Sequence, residues 1–282
     1  MNRTLYVTDL DGTLLGPDGS LSETSAVLLS DAIGRGMLVT CATARSWTTT
    51  QRVLGDFRFE LPLVLYNGTF TYDAARDVML DRNEFDAGTT EAILTLLEDA
   101  GVPPLVYGLD GRDERVSWIR GLQNEATQRF WMDRPNDPRN APRDGWPELP
   151  SEGVFNIAAI GTPEEMEPLA LALRTLIGSA GEVNVQRDTY HPQDVWIDVA
   201  PAGATKGSAV TALAERLGAD RVVAFGDNFN DLPLFEVAHE SYAMTHAPAA
   251  VRARATATLA DQSDAVARWL TERGTSMAAA AP

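Results

Sequence analysis

The sequence predicts an α/β fold, a doubly wound parallel sheet interrupted by an inserted α+β module. Three observations predict it. Apolar runs of strand length alternate with segments of helical periodicity from residue 5 to residue 66, and the same alternation returns after residue 195. Between these stretches the texture changes to antiparallel-looking pairs around turn residues, a different kind of layer. The expected division is a core from 1–83 and 190–274, an inserted module at 84–189, and a disordered tail at 275–282.

The elements follow in order. Residues 5–8 form a short apolar run, 22–34 carry apolar residues at helical spacing, and 37–43 are again apolar, which reads as β, α, β. A helix at 46–54 and a strand at 63–66 continue the alternation of a parallel sheet covered on both faces. Residues 69–81 read as an antiparallel pair, 90–100 as a helix, and 104–120 as a hairpin turning at Asp110-Gly111. A helix at 123–131, a strand at 154–160, a helix at 163–177 and a strand at 182–186 complete the insert. The stretch 133–152 is rich in proline and charge and is expected to be a long surface loop. The core then resumes with strands at 195–200 and 222–227 and helices at 205–217, 232–237 and 264–273.

Composition narrows the function classes. With 282 residues, 44% of them hydrophobic, the chain can bury one large core or two ordinary ones. A formal net charge of −17 repels the phosphates of nucleic acid and of anionic membranes, so neither is an expected partner. An anionic substrate would need a locally positive pocket. Strand-like sequence begins within a few residues of the amino terminus, and no apolar stretch approaches the ~18 residues of a spanning helix. The expectation is a soluble cytoplasmic protein, a monomer or small homo-oligomer. The one cysteine, Cys41, sits in an apolar run and reads as a buried structural thiol.

Chemistry concentrates at two strand ends. In TLYVTDLDGTLLG (4–16), Asp9 and Asp11 stand two residues apart, so strand alternation would project both to one side. VVAFGDNFND (222–231) repeats the arrangement, with Asp227, Asn230 and Asp231 after an apolar run. Ligands bind at the carboxyl ends of strands in open parallel sheets. If these strands are neighbours, four carboxylates converge and require a cation, and oxygen-only donors favour magnesium. A lone Asp-x-Asp would read as a turn and helix cap; two such strand ends in one chain favour a metal site. Magnesium among carboxylates points to phosphate, for which Thr43 and Arg45 in CATARS (41–46) and Lys206 at a helix start are candidate donors.

The order DLDGT (9–13), ATAR (42–45), TKG (205–207) and GDNFND (226–231) resembles the four motifs of the haloacid dehalogenase superfamily of phosphohydrolases. An insert between the second and third motifs, together with LYNGTFTYD (65–73), WIDVAPAGATKG (196–207) and AMTHAP (243–248), resembles the Cof-like subclass IIB. The resemblance implies a Rossmann-like core with a class IIB cap domain. It also implies a magnesium-dependent phosphomonoesterase acting on a small phosphorylated metabolite, sugar phosphates leading. Asp9 would be the nucleophile forming an aspartyl-phosphate, and Asp11 the general acid and then base. Asp9, the backbone carbonyl of Asp11, and Asp227 would hold magnesium, with Asp231 orienting Lys206 or a metal-bound water and partly exchangeable with Asp227. Thr43, Ala44, Arg45, Lys206 and Asn230 would surround the phosphoryl group. A phosphomutase of the same superfamily and a non-catalytic sensor of a phosphorylated ligand are the alternatives.

The chain departs from the family pattern at Ala44, often Gly, at Thr245-His246, often Gly-Asn, and at Ala265-Val266-Ala267, often Gly-Val-Ala. His246 could reach the site from a carboxyl-end loop; His191 and His239 show no ligand spacing. In the insert, Tyr107, Arg112, Arg115, Trp118, Arg120, Arg129 and Trp131 could contact a substrate, or pack the insert's own core.

Overall fold

A computed structural model describes residues 3–110, 113–188, 191–260 and 264–279. Gly111 of the expected hairpin turn and the substrate candidate Arg112 lie outside the described residues. The chain runs β1 (Thr4–Thr8), α1 (Glu23–Gly34), β2 (Leu38–Cys41), α2 (Trp47–Leu54), β3 (Leu63–Leu65), β4 (Phe70–Asp73) and β5 (Val78–Arg82). It continues with α3 (Ala87–Asp99), β6 (Pro104–Asp110), β7 (Asp113–Ile119), α4 (Glu125–Met132), β8 (Asn140–Arg143), β9 (Val154–Gly161), α5 (Pro163–Ile177), β10 (Gly181–Arg187) and β11 (Val195–Pro201). Last come α6 (Lys206–Leu217), β12 (Arg221–Gly226), α7 (Leu232–Val237), β13 (Glu240–Met244), α8 (Ala249–Arg252), β14 (Ala257–Leu259) and α9 (Ala265–Ala279). Two compact units result, one from residues 1–82 and 204–282, the other from residues 83–203.

The first unit is built on a parallel sheet of order β14-β13-β12-β1-β2. A single parallel bridge, Ala42 to Val64, adds β3, to which β4 and β5 attach antiparallel. Alternation along β1 explains why both faces are covered. Leu5 and Val7 join Val210 and Leu213 of α6 and Leu234 and Phe235 of α7 in one buried cluster. On the other face the rings of Tyr6, Phe225 and Tyr242 meet Trp269 of α9 at centroid distances of 6.2, 5.0 and 4.9 Å. Because β1 lies between β12 and β2, the chain leaves β1 in one direction and returns on its other side, and such a switch point is where open α/β sheets bind ligands.

Beyond β3 the backbone is unusual. Tyr66, Asn67 and Gly68 have φ of +47°, +56° and +105°. Gly68 is pressed against the start of α6, where a Cβ would stand 2.1 Å from the carbonyl oxygen of Thr205. Gly68→Ala combines that clash with a left-handed φ, and is expected to destabilise the protein by roughly 3 kcal/mol, read as a lowered urea midpoint.

The second unit is a six-stranded sheet of order β10-β11-β9-β6-β7-β8, antiparallel except for β7 and β8. Ile93 and Leu97 of α3 and Met166 and Leu173 of α5 bury one face with Val106, Ile157 and Ile197. Two expectations are corrected here. Residues 195–200 do not join the parallel sheet; as β11 they pair antiparallel with β9 and β10. Their burial alternates, with Val195, Ile197 and Val199 buried and Trp196 and Asp198 half-buried, the pattern of a two-sided antiparallel strand rather than of a strand buried on both faces. Nor is 133–152 a structureless loop. It contains β8 and a short helical turn at Trp146–Glu148, and its charges are paired locally, Arg139 clasping Asp137 at 3.0 and 2.7 Å.

At the carboxyl end, α9 runs through Ala279, so residues 275–279 are helical where disorder was expected. Alanine has the highest helix propensity and here extends a helix already anchored by Val266 and Leu270. Residues 280–282 lie outside the described residues. No helix among the described residues is long and apolar enough to cross a membrane.

Candidate active site

The strand β1 stops at Thr8, and the backbone then turns. Asp9 and Asp11 are extended, Gly12 has φ +70°, and the Leu15 N–H closes a wide turn on the Leu10 carbonyl at 2.9 Å. Both aspartates therefore lie beyond the last residue of β1, on either side of Leu10. Leu10 is fully buried, Asp9 is 5% exposed, and the Asp11 side chain is half exposed. Asp11 instead forms a two-armed pair with Arg45, at 2.7 Å to Nε and 2.5 Å to Nη2.

Asp9 meets the other motifs through Lys206. This lysine is the first residue of α6, held there by Thr205, whose hydroxyl accepts the Ser208 N–H at 3.1 Å. Its side chain is fully buried, with Nζ 2.9 Å from Asp9 Oδ1 and 2.7 Å from Asp231 Oδ1. Both oxygens of Asp231 are engaged, since Oδ2 accepts the N–H groups of Asp227 and Asn228 at 2.9 and 3.0 Å. Asp227 lies alongside, its Oδ1 accepting from Thr13 Oγ1 at 3.1 Å. His246 reaches this carboxylate, Nε2 standing 3.5 Å from Asp227 Oδ2.

Burial dominates the electrostatics. It pushes the Asp9 carboxyl up to about 7, with Lys206 opposing and Asp231 reinforcing the rise. Asp227 is raised by burial and then by Asp231. For Lys206 burial acts downward, but Asp9 and Asp231 together outweigh it and hold the ammonium charged. Carboxylate oxygens of Asp9, Asp227 and Asp231 lie within 4.8 Å of one another. Three carboxylates against one lysine leave a net −2 when all are ionised, and this oxygen-only set fits a divalent hard cation.

A pH dependence follows for the metal-free protein. The folded-state value of Asp9 lies above its ordinary 3.8, so the associated stability is present at low pH and is lost as pH rises from about 4 through about 7. Lys206 stays charged across that window and does not contribute. In EDTA the wild-type protein is expected to lose on the order of 3 kcal/mol over this range relative to Asp9→Asn. Denaturation midpoints of both proteins between pH 4 and 8 check it; parallel curves would refute it.

The remaining candidates sit at adjoining strand ends. Thr43 is fully buried, its hydroxyl accepting the Arg45 N–H at 3.2 Å. Ala44 is exposed. Asn230 donates Nδ2–H to Asn67 Oδ1 at 3.0 Å. The structure thus gathers Asp9, Lys206, Asp227 and Asp231 into one cluster and sets Asp11 with Arg45 as a separate pair. Cys41 is fully buried, and burial pushes its thiol up, as a structural role requires. His239 accepts the Val222 N–H on Nδ1 at 3.2 Å, a structural contact.

Sequence reasoning assigned no role to Gly12, Thr13, Asn67 or Gly226. A Cβ on Gly12 would stand 2.4 Å from Asp227 Oδ2, and one on Gly226 would stand 2.4 Å from Asp231 Cγ. The signal was a glycine beside each aspartate motif: glycine lets a carboxylate approach the backbone.

In the second unit the aromatic and basic candidates are largely engaged with residues of the same unit. Tyr107 is buried, and Trp118 meets Trp131 at 5.5 Å. Arg129 clasps Asp194 at 2.8 and 2.6 Å, Arg115 reaches Asp113 at 3.0 Å, and Arg120 pairs with Asp144.

Comparison with known proteins gives the chain's family. The sequence model of the haloacid dehalogenase-like hydrolase family matches residues 6–270. The pyridoxal phosphate phosphatase YbhA of Escherichia coli K12 is 26% identical over 292 residues, covering 96% of this chain and 98% of its own. An HMP-PP phosphatase of Escherichia coli O6:H1 is 26% identical over 258 residues, covering 88% and 86%. Among solved structures, TM0651 of Thermotoga maritima aligns with a TM-score of 0.78 at 25% identity over 97% of both chains. The subclass IIB sugar phosphatase BT4131 aligns at 0.69 with 18% identity, covering 96% of this chain and 99% of its own, a likeness of fold.

Proposed function

The chain belongs to the haloacid dehalogenase-like hydrolase family, and from that premise we propose that it is a magnesium-dependent phosphatase of small phosphorylated metabolites working through an aspartyl-phosphate. The observation that carries this reading is the buried Lys206 held between Asp9 and Asp231, with Asp227 beside them. The buried lysine opposes the rise that burial imposes on the Asp9 carboxyl.

In the first step an Asp9 oxygen attacks phosphorus, a new O–P bond forms, and the bond from phosphorus to the leaving oxygen breaks. Asp11 gives that oxygen its proton. In the second step Asp11 takes a proton from water, the water oxygen bonds to phosphorus, and Asp9 is released with inorganic phosphate. The Arg45 pair holds Asp11 by both oxygens, so it has to open before Asp11 can carry a proton. Thr43, Ala44, Arg45, Lys206 and Asn230 would orient the phosphoryl oxygens. Asp9, Asp227, the Asp11 backbone carbonyl and Asp231, directly or through water, would hold magnesium, which when bound would supply positive charge to the transferring group.

Sugar phosphates are the class the family resemblance favours. The relatives named for pyridoxal phosphate and HMP-PP argue for testing phosphorylated ring compounds beside them. The test is release of inorganic phosphate from hexose phosphates, pyridoxal phosphate and p-nitrophenyl phosphate, with magnesium and with EDTA. Magnesium-dependent release supports the reading; isomerised hexose phosphate without free phosphate would make the protein a mutase, and release undiminished by EDTA would remove the metal.

A further inference from the structure

The strained turn after β3 touches every segment proposed for the phosphoryl oxygens. Among the described residues, 66–68 are the only three in succession with positive φ. Glycine adopts that conformation freely and asparagine tolerates it, but a tyrosine there is uncommon, and such strain persists only where the surroundings over-determine it. The surroundings are specific. Tyr66 N–H donates to the Arg45 carbonyl at 3.1 Å and Asn67 N–H to the Thr43 carbonyl at 2.9 Å. Gly68 abuts the Thr205 backbone, immediately before Lys206. The Asn67 side chain accepts from Asn230 Nδ2 at 3.0 Å.

That last hydrogen bond is the tether of the Asn230 side chain. Asn230 Oδ1 is buried and has no hydrogen-bond partner among the described residues, so the carboxamide is oriented from its nitrogen side. A carboxamide is planar and its nitrogen carries two hydrogens. Once one hydrogen is committed to Asn67, the direction of the second is fixed as well. That second hydrogen is the one left for an anion.

We propose that Asn67 is a positioning residue for phosphoryl recognition: it aims the Asn230 carboxamide, and its turn sets the spacing between the Thr43–Arg45 loop and the Lys206 helix start. The assignment rests on the reading that Asn230 and Lys206 bind the phosphoryl group. It explains why an asparagine stands between a tyrosine and a glycine at a left-handed turn, where a backbone requirement alone would be met by glycine.

Asn67→Gly is the informative variant, because it deletes the carboxamide and keeps the left-handed backbone without steric cost. The inhibition constant for inorganic phosphate and the KM for p-nitrophenyl phosphate are each expected to rise about tenfold, with a smaller fall in kcat. Circular dichroism should remain that of the wild type. Since Asn67 acts through Asn230, the double variant Asn67→Gly/Asn230→Ala should bind phosphate no more weakly than Asn230→Ala alone. An inhibition constant unchanged within about twofold in Asn67→Gly, or losses that multiply in the double variant, would overturn the proposal. Wild-type protein that neither binds inorganic phosphate nor hydrolyses p-nitrophenyl phosphate would instead overturn the phosphatase reading and this assignment with it, a result distinguishable from active wild type with an indifferent Asn67→Gly.

Discussion

Asp9→Asn is expected to lower phosphatase turnover by at least about 10⁴-fold, to the limit of detection. The carboxamide has nearly the shape of the carboxylate, so the fold around it should persist. Its oxygen lacks the charge needed to attack phosphorus, and of the carboxylates beside it Asp231 has both oxygens engaged and Asp227 accepts from Thr13. Acid quenching of a turning-over reaction should trap covalent phosphate on the wild-type chain and none on the variant. Near-normal turnover with Asn at this position would eliminate Asp9 as the nucleophile.

Lys206→Met carries the largest expected cost in stability, about 3–5 kcal/mol. Methionine fills the space, but Asp9 and Asp231, both nearly fully buried, lose the ammonium that lies within 2.9 Å of each. The loss should therefore come from uncompensated charge rather than from a void. Adding Asp231→Asn to Lys206→Met tests that distinction: removing one stranded charge should recover part of the lost stability, whereas a packing defect would not respond. Urea midpoints near neutral pH report both, and Lys206→Met should also lose phosphate affinity.

The site was legible in the sequence where a motif stands at the end of an apolar run. Asp9, Asp227 and Asp231 could be named because strand ends of a parallel sheet gather, whichever residues separate them along the chain, whereas Lys206, at a helix start, stood out only through the family resemblance. What stayed hidden was partner choice. Alternation along a strand could not show that β1 ends one residue before Asp9, and so could not send Asp11 to Arg45. Residues 195–200 misled for a related reason. VWIDVA reads as strand in either sheet, and only the half-buried Trp196 and Asp198 mark it as antiparallel. Likewise LYNGTFTYD was conspicuous as a pattern, but the hydrogen bond from Asn230 to Asn67 depends on a contact between distant segments that no local rule supplies.

The placement of β1 between β2 and β12 bears on how the protein is made. Thr4 pairs with Arg221 and Thr8 with Phe225, so one edge of β1 has no partner until most of the chain has left the ribosome. Residues 83–203 are contiguous and can close on themselves earlier. During that interval TLYVT would present an open strand edge with apolar side chains on both faces, the kind of segment that pairs with other chains when left waiting. Synthesis halted before β12 would leave a hazard in solution, and also a protein without Lys206's neighbours Asp227 and Asp231. Chaperone capture of such truncated chains, and not of the complete one, is the cellular trace this topology should leave.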